Sequence, residues 1–317
     1  PGEITRPLVE HWLDDIVVVD EDAVADAMVL LMERSKLLVE GAGAVGVAAL
    51  MSERASPARG GTRCVVRSGG NGAPGVGPGR TRRAPLRPVG VRHFTALTYA
   101  HRPGMAGDLT DFALDLSAAE PDCVPSATFF PEDGVVNQVR SALERGARVF
   151  KIHAQVGGFD LREKALDEVW GLLADAVVPI VVHVGSGPVP REGFTGPDKL
   201  EGVLRRHPRL TAVVAHLGAP EYDQFLTLAE RYPRVHLDTT MVFTDFFEKA
   251  APFPADLLPR LAALPDRVVL GSDFPNIPYP YAHQLEVLER LRDREPRLDD
   301  DWLRSVCWFN GHRLIGD

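Results

Sequence analysis

Short apolar runs recur along the sequence from about residue 89 onward, and a longer stretch with helical spacing of its apolar positions follows each run. These runs are VRHFTALTY (91–99), VPSATFF (124–130), ARVFKIHA (147–154), VPIVVHV (178–184), LTAVVAHL (210–217), RVHLDTT (234–240) and DRVVLGSD (266–273). Strands that are apolar throughout must be covered on both faces, which is typical of parallel sheets. The pattern therefore predicts parallel strands joined by helices, in either a doubly wound sheet or a closed barrel. The helices are predicted at 135–145, 162–176, 198–206, 221–231, 255–264, 281–292 and 299–306.

Polar side chains near the C-terminal ends of these runs favour the barrel. They are His153, His183, His216, Asp238 and Asp273. In a β/α barrel the C-terminal ends of all strands meet at one rim, whereas in an open sheet they are spread along an edge. Only seven runs follow residue 89, and a closed barrel of this type has eight strands. We therefore predict an α/β protein with an incomplete (β/α)8 barrel that lacks its first strand.

The sequence before residue 89 has a different pattern. IVVVD (16–20) predicts a short strand, and apolar positions at helical spacing between residues 21 and 40 predict a helix after the acidic pair Asp20 and Glu21. GAGAVGVAALM (41–51) predicts a second helix.

A segment rich in Gly, Pro and Arg, GGNGAPGVGPGRTRRAPLRP (69–88), separates the two patterns and has no hydrophobic period. Such a composition predicts a flexible linker, because it cannot bury enough apolar surface to offset the entropy of ordering. The predicted organisation is a small α/β fragment at 1–71, a linker at 72–88 and a barrel domain at 89–317.

Composition narrows the class of protein. A hydrophobic content of 45% and a charged content of 25% are ordinary for a globular protein, and the net charge of -9 offers no attraction to nucleic acid or to an acidic membrane surface. Three widely spaced cysteines indicate a reducing compartment, and no apolar run reaches the roughly 18 residues that span a bilayer. We expect a cytoplasmic protein with neither nucleic-acid nor membrane partners.

The strongest chemical pattern combines VVHVG (181–185), VVAHLG (213–218) and VLGSDFP (269–275). An imidazole at the end of a buried strand is a rigidly held ligand for zinc or a similar divalent cation. A carboxylate at another strand end can bind the same ion or accept a proton from its water, and a second imidazole can pass a proton to the leaving group. The three motifs together predict metal-dependent hydrolysis of a small-molecule substrate.

With FKIH (150–153), AHLGAPEY (215–222), HLDTT (236–240) and GSDFPNIPYPY (271–281), residues 89–316 resemble the amidohydrolase superfamily, in particular its amidohydrolase-related branch, which also contains metal-dependent decarboxylases. The resemblance implies a divalent metal, zinc or manganese. It implies His183 as a metal ligand, His216 as an acid/base, and Asp273 as both a ligand and the proton acceptor from water.

The same resemblance places further residues near the substrate, namely His153, Asn276, Tyr279 and Tyr281. Lys151 falls where some two-metal members carry a carboxylated lysine, although K-x-H is common in single-metal sites. One departure concerns the H-x-H pair of the family's first strand, since no two histidines of this chain are two residues apart. Because the family carries this pair on its first strand, the missing H-x-H pair and the missing first strand have the same cause.

Residues 1–71 resemble a different family. PGEITRPLVEHWLDDIVVVDEDAVADAM, LLVEGAGAVGVAAL and CVVRSGGN (64–71) are similar to the end of the catalytic domain of threonine dehydratases, which use pyridoxal phosphate (PLP). By this resemblance Ser68 matches the serine that hydrogen-bonds the pyridine nitrogen. The family's Schiff-base lysine and phosphate-binding loop lie earlier than this segment, so PLP is not expected to bind and threonine dehydratase activity is not expected. A fusion of two partial domains explains both resemblances.

Three functions remain open at this point. The first is hydrolysis of a C–N or ester bond, with activity impaired by the missing H-x-H. The second is metal-dependent decarboxylation of a small unsaturated or aromatic acid, and the third is a non-catalytic chimera. An incomplete barrel also exposes two strand edges, so self-association into a homo-oligomer is a further expectation.

Overall fold

A computed structural model describes residues 17–35, 41–52, 86–187, 193–275 and 277–316. The chain separates into two compact units that divide between Ala84 and Pro85. Two predicted site residues, Ser68 and Asn276, lie outside the described residues. None of the helices in the described ranges has both the length and the hydropathy to cross a membrane.

The described part of the N-terminal unit contains two helices, α1 (Glu21–Ser35) and α2 (Gly41–Met51). Asp20 caps α1, because its carboxylate accepts the Ala23 N–H at 2.8 Å. Small buried side chains from both helices, Ala27, Ala44 and Ala48, form the contact between them. Both helices are therefore confirmed within the described residues, and the end of the first predicted helix, 36–40, lies outside them.

The strand predicted at 16–20 does not form in its described part. Residues 17–20 have no regular structure, and the Val18 side chain is 79% exposed. A short apolar run becomes a strand only when a neighbouring strand pairs with it, and the described part of this unit offers none. The strand prediction is therefore wrong for residues 17–20, because it rested on the hydrophobic run alone.

The larger unit alternates strands and helices along the chain. Its strands are β1 (Phe94–Thr95), β2 (Cys123–Val124), β3 (Ser126–Thr128), β4 (Val149–His153), β5 (Ile180–His183), β6 (Ala212–Val214), β7 (Val235–Asp238) and β8 (Val268–Val269). Its helices are α3 (Ala106–Ala119), α4 (Val135–Glu144), α5 (Ala154–Gly157), α6 (Asp167–Ala176), α7 (Pro197–Arg206), α8 (Tyr222–Arg231), α9 (Leu258–Ala262), α10 (Tyr281–Glu289), α11 (Asp300–Arg304) and α12 (Asn310–Ile315). A π-helical segment, Ser305–Phe309, joins α11 to α12.

All strand pairs are parallel. β1 pairs with β2, and β3 to β8 form a six-stranded sheet in chain order. Only Pro125 separates β2 from β3, so the two are halves of one strand, and all seven predicted strands are confirmed. Within the described ranges no strand pairs with the outer edge of β1 or β8. The predicted incomplete (β/α)8 barrel is confirmed.

Side chains along each strand alternate between two environments. On β4, Phe150 and Ile152 face outward into the main core, where the helices cover them. The inward-facing side chains form an apolar layer inside the barrel, consisting of Val124, Val149, Val181, Val213, Ala215 and Val269, against which Leu314 and Ile315 of α12 pack. Polar side chains such as Lys151 and His153 lie further along the same inward faces. The apolar layer therefore supports a polar rim at the C-terminal strand ends.

One inward-facing histidine, His236 on β7, predicts a loss of stability in acid. Burial, and then the nearby Arg267 and Arg313, lower its pKa to about 4, and its Nδ1 atom finds no hydrogen-bond partner among the described residues. Because the folded state favours the neutral ring, its contribution to stability is complete above about pH 6.5 and is lost as the pH falls towards about 4.

Replacing this ring by a side chain that does not ionise tests that statement. From pH 7 to pH 4.5, we expect the unfolding free energy of His236→Gln to fall by roughly 2 kcal/mol less than that of the wild type. Urea denaturation at both pH values measures the difference. Equal losses in the two proteins would contradict the assignment.

Candidate active site

The rim of the barrel collects the polar residues that the sequence predicted at strand ends. His153 and His183 are the last residues of β4 and β5 and are paired in register, and Asp238 ends β7. His216 follows β6 and Asp273 follows β8. Parallel strands bring these positions to one end of the sheet, as the barrel topology requires.

Three imidazoles lie in contact at this rim. The rings of His153 and His183 are stacked, with centroids 3.7 Å apart and an interplanar angle of 13°, and His216 lies 4.7 Å from His183. Burial, followed by the charges of Lys151 and His216, lowers the pKa of His153 to about 3. Burial, followed by the neighbouring His216 and His153, also lowers the pKa of His183 far below its usual value. His153 and His183 are therefore neutral rings.

Hydrogen bonds define which ring nitrogens of these two residues are free. The Val156 N–H donates to His153 Nδ1 at 3.2 Å, so the lone pair of that nitrogen is already used. His183 Nε2 lies 3.3 Å from the Gly187 carbonyl, which requires the proton on Nε2 and leaves Nδ1 with a free lone pair. Of the stacked pair, His183 is thus the better placed to bind a cation.

His216 and Asp273 face each other across the rim. The Nε2 atom of His216 lies 3.8 Å from Oδ2 of Asp273. His216 Nδ1 lies 3.2 Å from the Thr240 carbonyl, so Nδ1 carries a proton, and in the neutral ring Nε2 has the free lone pair. His216 has a φ of 118° and Asp273 a φ of 53°, both in a region that residues other than glycine rarely adopt. Such strain concentrates at functional sites, where the surrounding structure must hold it.

A buried ionisable pair, Lys151 and Asp238, lies next to these residues. Both are 6% exposed. Burial lowers the pKa of the Lys151 amine, and the charges of Asp238 and Asp273 oppose the shift in part. Burial also raises the pKa of the Asp238 carboxyl, although His216 and Lys151 oppose that shift. The sequence placed Asp238 near a strand end and aligned Lys151 with the carboxylated lysine of some two-metal relatives, but neither residue was among the predicted site residues.

Tyr99 is a rim residue that the sequence reasoning missed. Its ring lies 5.0 Å from that of His153, and burial followed by the charge of Asp273 raises the pKa of its hydroxyl. Tyr99 ends the run VRHFTALTY, so the strand-end rule that selected the histidines could also have selected it. The protonated hydroxyl is able to donate a hydrogen bond within the site.

Two predicted substrate residues belong to the segment after β8. The Tyr279 hydroxyl donates to Gln284 Oε1 at 3.1 Å, and burial raises its pKa to about 12. Tyr279 also lies near enough to Asp273 to be influenced by its charge. Tyr281 packs edge-on against Phe274, with centroids 5.9 Å apart, and lies near Cys307. Tyr279 is therefore connected to the rim, whereas the described contacts of Tyr281 are with its own loop and the C-terminal segment.

The donor atoms at the rim suit a divalent metal in chemistry but fall short in number. His183 Nδ1, His216 Nε2 and the Asp273 carboxylate are donors that zinc and manganese accept. Within the described part of the chain, however, no group of three or more His, Cys, Asp or Glu side chains is arranged to hold an ion. A catalytic zinc site usually has three protein ligands, so the described residues supply part of such a site.

Comparison with known proteins agrees with the barrel. The sequence profile of a family described as amidohydrolase matches residues 78–316. An uncharacterised TIM-barrel protein from Bordetella bronchiseptica superposes with a TM-score of 0.59 at 19% identity, covering 74% of this chain and 82% of that one. A probable 2-pyrone-4,6-dicarboxylic acid hydrolase from Acinetobacter baumannii superposes with a TM-score of 0.56 at 13% identity, covering 75% of this chain and 89% of that one. The 5-carboxyvanillate decarboxylase of Sphingomonas paucimobilis superposes with a TM-score of 0.51 at 15% identity, covering 74% of this chain and 82% of that one. At these identities the superpositions show the fold alone.

A short segment of the chain is similar to a second family. It is 51% identical over 71 residues to the L-threonine ammonia-lyase of Geobacter sulfurreducens, covering 22% of this chain and 17% of that protein. The corresponding enzyme of Thermotoga maritima is 44% identical over the same length and coverage. The resemblance to threonine dehydratases is confirmed, and the chain spans about one sixth of the length of these relatives.

Proposed function

The chain belongs to the amidohydrolase family, and from this premise we propose that its barrel is a metal-dependent hydrolase that cleaves a C–N or ester bond of a small-molecule substrate. The observation that carries the proposal is the arrangement of His216 and Asp273. Nε2 of His216 and a carboxylate oxygen of Asp273 are 3.8 Å apart, so one water or substrate atom that lies to the side of the pair can hydrogen-bond to both. This arrangement suits acid–base catalysis by two groups.

In the proposed reaction, Asp273 accepts a proton from the attacking water, that proton passes to Nε2 of His216, and His216 then delivers it to the leaving group. The Thr240 carbonyl keeps the proton of His216 on Nδ1, so Nε2 is free to exchange protons with the substrate. Tyr99 donates a hydrogen bond from its neutral hydroxyl, and the stacked rings of His153 and His183 form one wall of the site. When bound by His183 and Asp273, a zinc or manganese ion supplies Lewis-acid polarisation of the bond to be cleaved.

The small number of metal ligands at the rim is expected to lower the affinity of the protein for zinc or manganese. With fewer than the usual three protein ligands, we propose that the ion binds weakly and that turnover is impaired. Because an ion that binds only the native state must stabilise it, zinc is expected to raise the melting temperature of the protein.

His183→Gln tests the metal part of the proposal. We expect it to abolish the zinc-induced rise, while His312→Gln, an exposed histidine whose ring stacks on Trp308, keeps it. Melting curves of all three proteins with and without zinc or manganese give the comparison. A wild-type protein whose melting temperature does not respond to either metal would count against metal dependence.

The reaction itself is tested with two panels of small molecules. One contains amides, lactones and carboxylic esters, and the other contains aromatic and unsaturated acids. Hydrolysis of members of the first panel, stimulated by zinc or manganese, is the expected result. Inertness towards both panels with added metal would reject an active enzyme and favour the non-catalytic chimera.

Decarboxylation of a small aromatic or unsaturated acid is the second candidate. It is favoured by Asp238, which ends β7 at the rim and whose carboxyl pKa is raised by burial, because a carboxyl group in this position is suited to deliver a proton to carbon after CO2 leaves. A protein of the same fold carries the name of a decarboxylase. Release of CO2 from the second panel without hydrolysis of the first would select this reaction.

We propose that the N-terminal unit is related to the threonine dehydratases and is joined to the barrel as a fusion. The chain spans only 17% of the L-threonine ammonia-lyases that it matches. A cytoplasmic location, the absence of nucleic-acid and membrane partners, and self-association into a homo-oligomer remain predictions. Size-exclusion chromatography with light scattering tests the last of these.

A further inference from the structure

Gln284 on α10 is a completely buried amide with a hydrogen-bond partner for every donor and acceptor. It is 0% exposed. Its Oε1 accepts the Met241 N–H and the Tyr279 hydroxyl, each at 3.1 Å, and its Nε2 donates to the carbonyls of Thr239 at 3.1 Å and Val242 at 3.4 Å. Two donors and two acceptor sites are the full capacity of a glutamine amide. Because the main-chain partners are an obligate donor and two obligate acceptors, the orientation of the amide is fixed as well.

These bonds hold the turn that follows β7 in a strained conformation. Met241 has a φ of 62° and Phe243 a φ of 71°, although neither is glycine. A left-handed backbone is unfavourable for a residue with a side chain, so the surrounding contacts must maintain it. Gln284 binds three of the four residues from Thr239 to Val242 and provides such contacts.

A single peptide group connects Gln284 to the proposed catalytic histidine. The peptide between Thr240 and Met241 is planar, with its N–H and its carbonyl pointing in opposite directions. On one side the Met241 N–H donates a hydrogen bond to Gln284, and on the other side the Thr240 carbonyl accepts a hydrogen bond from the Nδ1–H of His216. The preceding N–H, that of Thr240, donates to Asp238 Oδ1 at 2.9 Å. Rotation of this peptide would therefore remove the acceptor that keeps the proton on Nδ1.

We propose that Gln284 is a positioning residue for His216, because it orients the Thr240–Met241 peptide and thereby fixes the tautomer of the His216 ring. Gln284 itself does not touch the reacting atoms. Its effect is to leave Nε2 unprotonated on the side of Asp273. The importance of this tautomer for catalysis rests on the proposed function, whereas the tautomer itself is a property of the resting protein.

Nitrogen NMR of the full-length protein, without substrate or added metal, tests the proposal. Long-range proton–nitrogen spectra distinguish a protonated from an unprotonated ring nitrogen, and the signals of His216 are identified by their absence in His216→Gln. The wild type is expected to show a protonated Nδ1 and an unprotonated Nε2. In Gln284→Met and Gln284→Asn, which withdraw the acceptor from Met241, we expect the ratio of the Nδ1–H form to the Nε2–H form to fall about tenfold, the effect of one hydrogen bond.

Gln138→Met is the matched control, since Gln138 is also a helical glutamine that donates to a side chain, Glu132, but lies on α4 away from His216. It is expected to keep the wild-type ratio. A wild type in which the Nε2–H form predominates would overturn the proposal, as would folded Gln284 variants with an unchanged ratio. If Gln284→Met does not fold, the asparagine variant and the wild-type spectrum still decide. Failure of the hydrolysis assays would not change the measured tautomer ratio, so the proposed hydrolase function and the proposed role of Gln284 can be rejected independently.

Discussion

Asn310→Ala is expected to lower the free energy of unfolding by about 3 kcal/mol, because it removes three hydrogen bonds and leaves the carbonyl of the buried Val268 without its partner. Asn310 is 1% exposed, and its Nδ2 donates to the carbonyls of Pro265 and Val268, both at 2.7 Å. Its Oδ1 in turn accepts from Arg313 at 2.7 Å. The side chain thus joins α12 to the last strand of the barrel.

The size of the effect follows from the position of these bonds at the outer edge of β8. Along the edge of β8 that pairs with β7, the carbonyls of Arg267 and Val269 accept hydrogen bonds from main-chain N–H groups of β7 and the residue after it. The main-chain groups of the alternate residues, Val268 and Leu270, point to the opposite edge, where a closed barrel would have its first strand. Here the Val268 carbonyl accepts from Asn310, and the Leu270 N–H donates to the Val306 carbonyl at 3.1 Å.

The C-terminal segment therefore occupies the position of a neighbouring strand. Its π-helical turn, Ser305–Phe309, leaves the Val306 carbonyl available to Leu270. Trp308 of the same turn lies 6.3 Å from His93, which directly precedes β1, so the segment also reaches the other open edge. Leu314 and Ile315 then cover the apolar layer inside the barrel.

Urea denaturation of Asn310→Ala gives the measurement, with Asn137→Ala as its control. Asn137 is an exposed asparagine on α4 that accepts a bond from Arg140. We expect its replacement to change the unfolding free energy by less than about 0.5 kcal/mol. Equal stabilities of the two variants would show that the helical closure of the β8 edge contributes little.

The barrel could be predicted from the sequence because its strands are apolar on both faces. Each of the seven runs, for example ARVFKIHA (147–154), forms a strand, and the strand-end residues His183 and Asp273 lie at the predicted rim. The isolated run at 16–20 has the same composition without a pairing partner in the described region. Strand formation depends on a neighbour, and local hydrophobicity does not reveal whether one exists.

The details of the site depend on contacts between distant residues, which periodicity does not encode. The His216 tautomer is defined by a carbonyl 24 positions later, and the turn containing that carbonyl is held by Gln284 on another helix. Stacking of His153 on His183 uses the parallel register of β4 and β5, which follows from the pairing and not from either strand alone. Tyr99 ends a predicted strand but was not among the predicted site residues, because a phenol is not a usual ligand of zinc or manganese.

The largest functional effects are expected from Asp273→Asn and His216→Gln, measured on whichever substrate the wild type hydrolyses best. Each is expected to reduce kcat/KM by about 1,000-fold, since general acid–base groups contribute between roughly 100-fold and 10,000-fold. Asp256→Asn, an exposed aspartate in the turn before α9, is the control and should leave the rate unchanged. A loss of less than about tenfold in either site variant would argue against its role.

The double variant separates a shared role from two independent ones. Because His216 Nε2 and Asp273 Oδ2 lie 3.8 Å apart and are proposed to act on the same water and leaving group, neither retains its function when the other is removed. The double variant should then be little slower than the worse of the two single variants, as for residues that act as a unit. Independent contributions would instead multiply to about a million-fold. A multiplicative loss would mean that the two residues contribute to different steps, and the proton transfers proposed here would have to be reassigned.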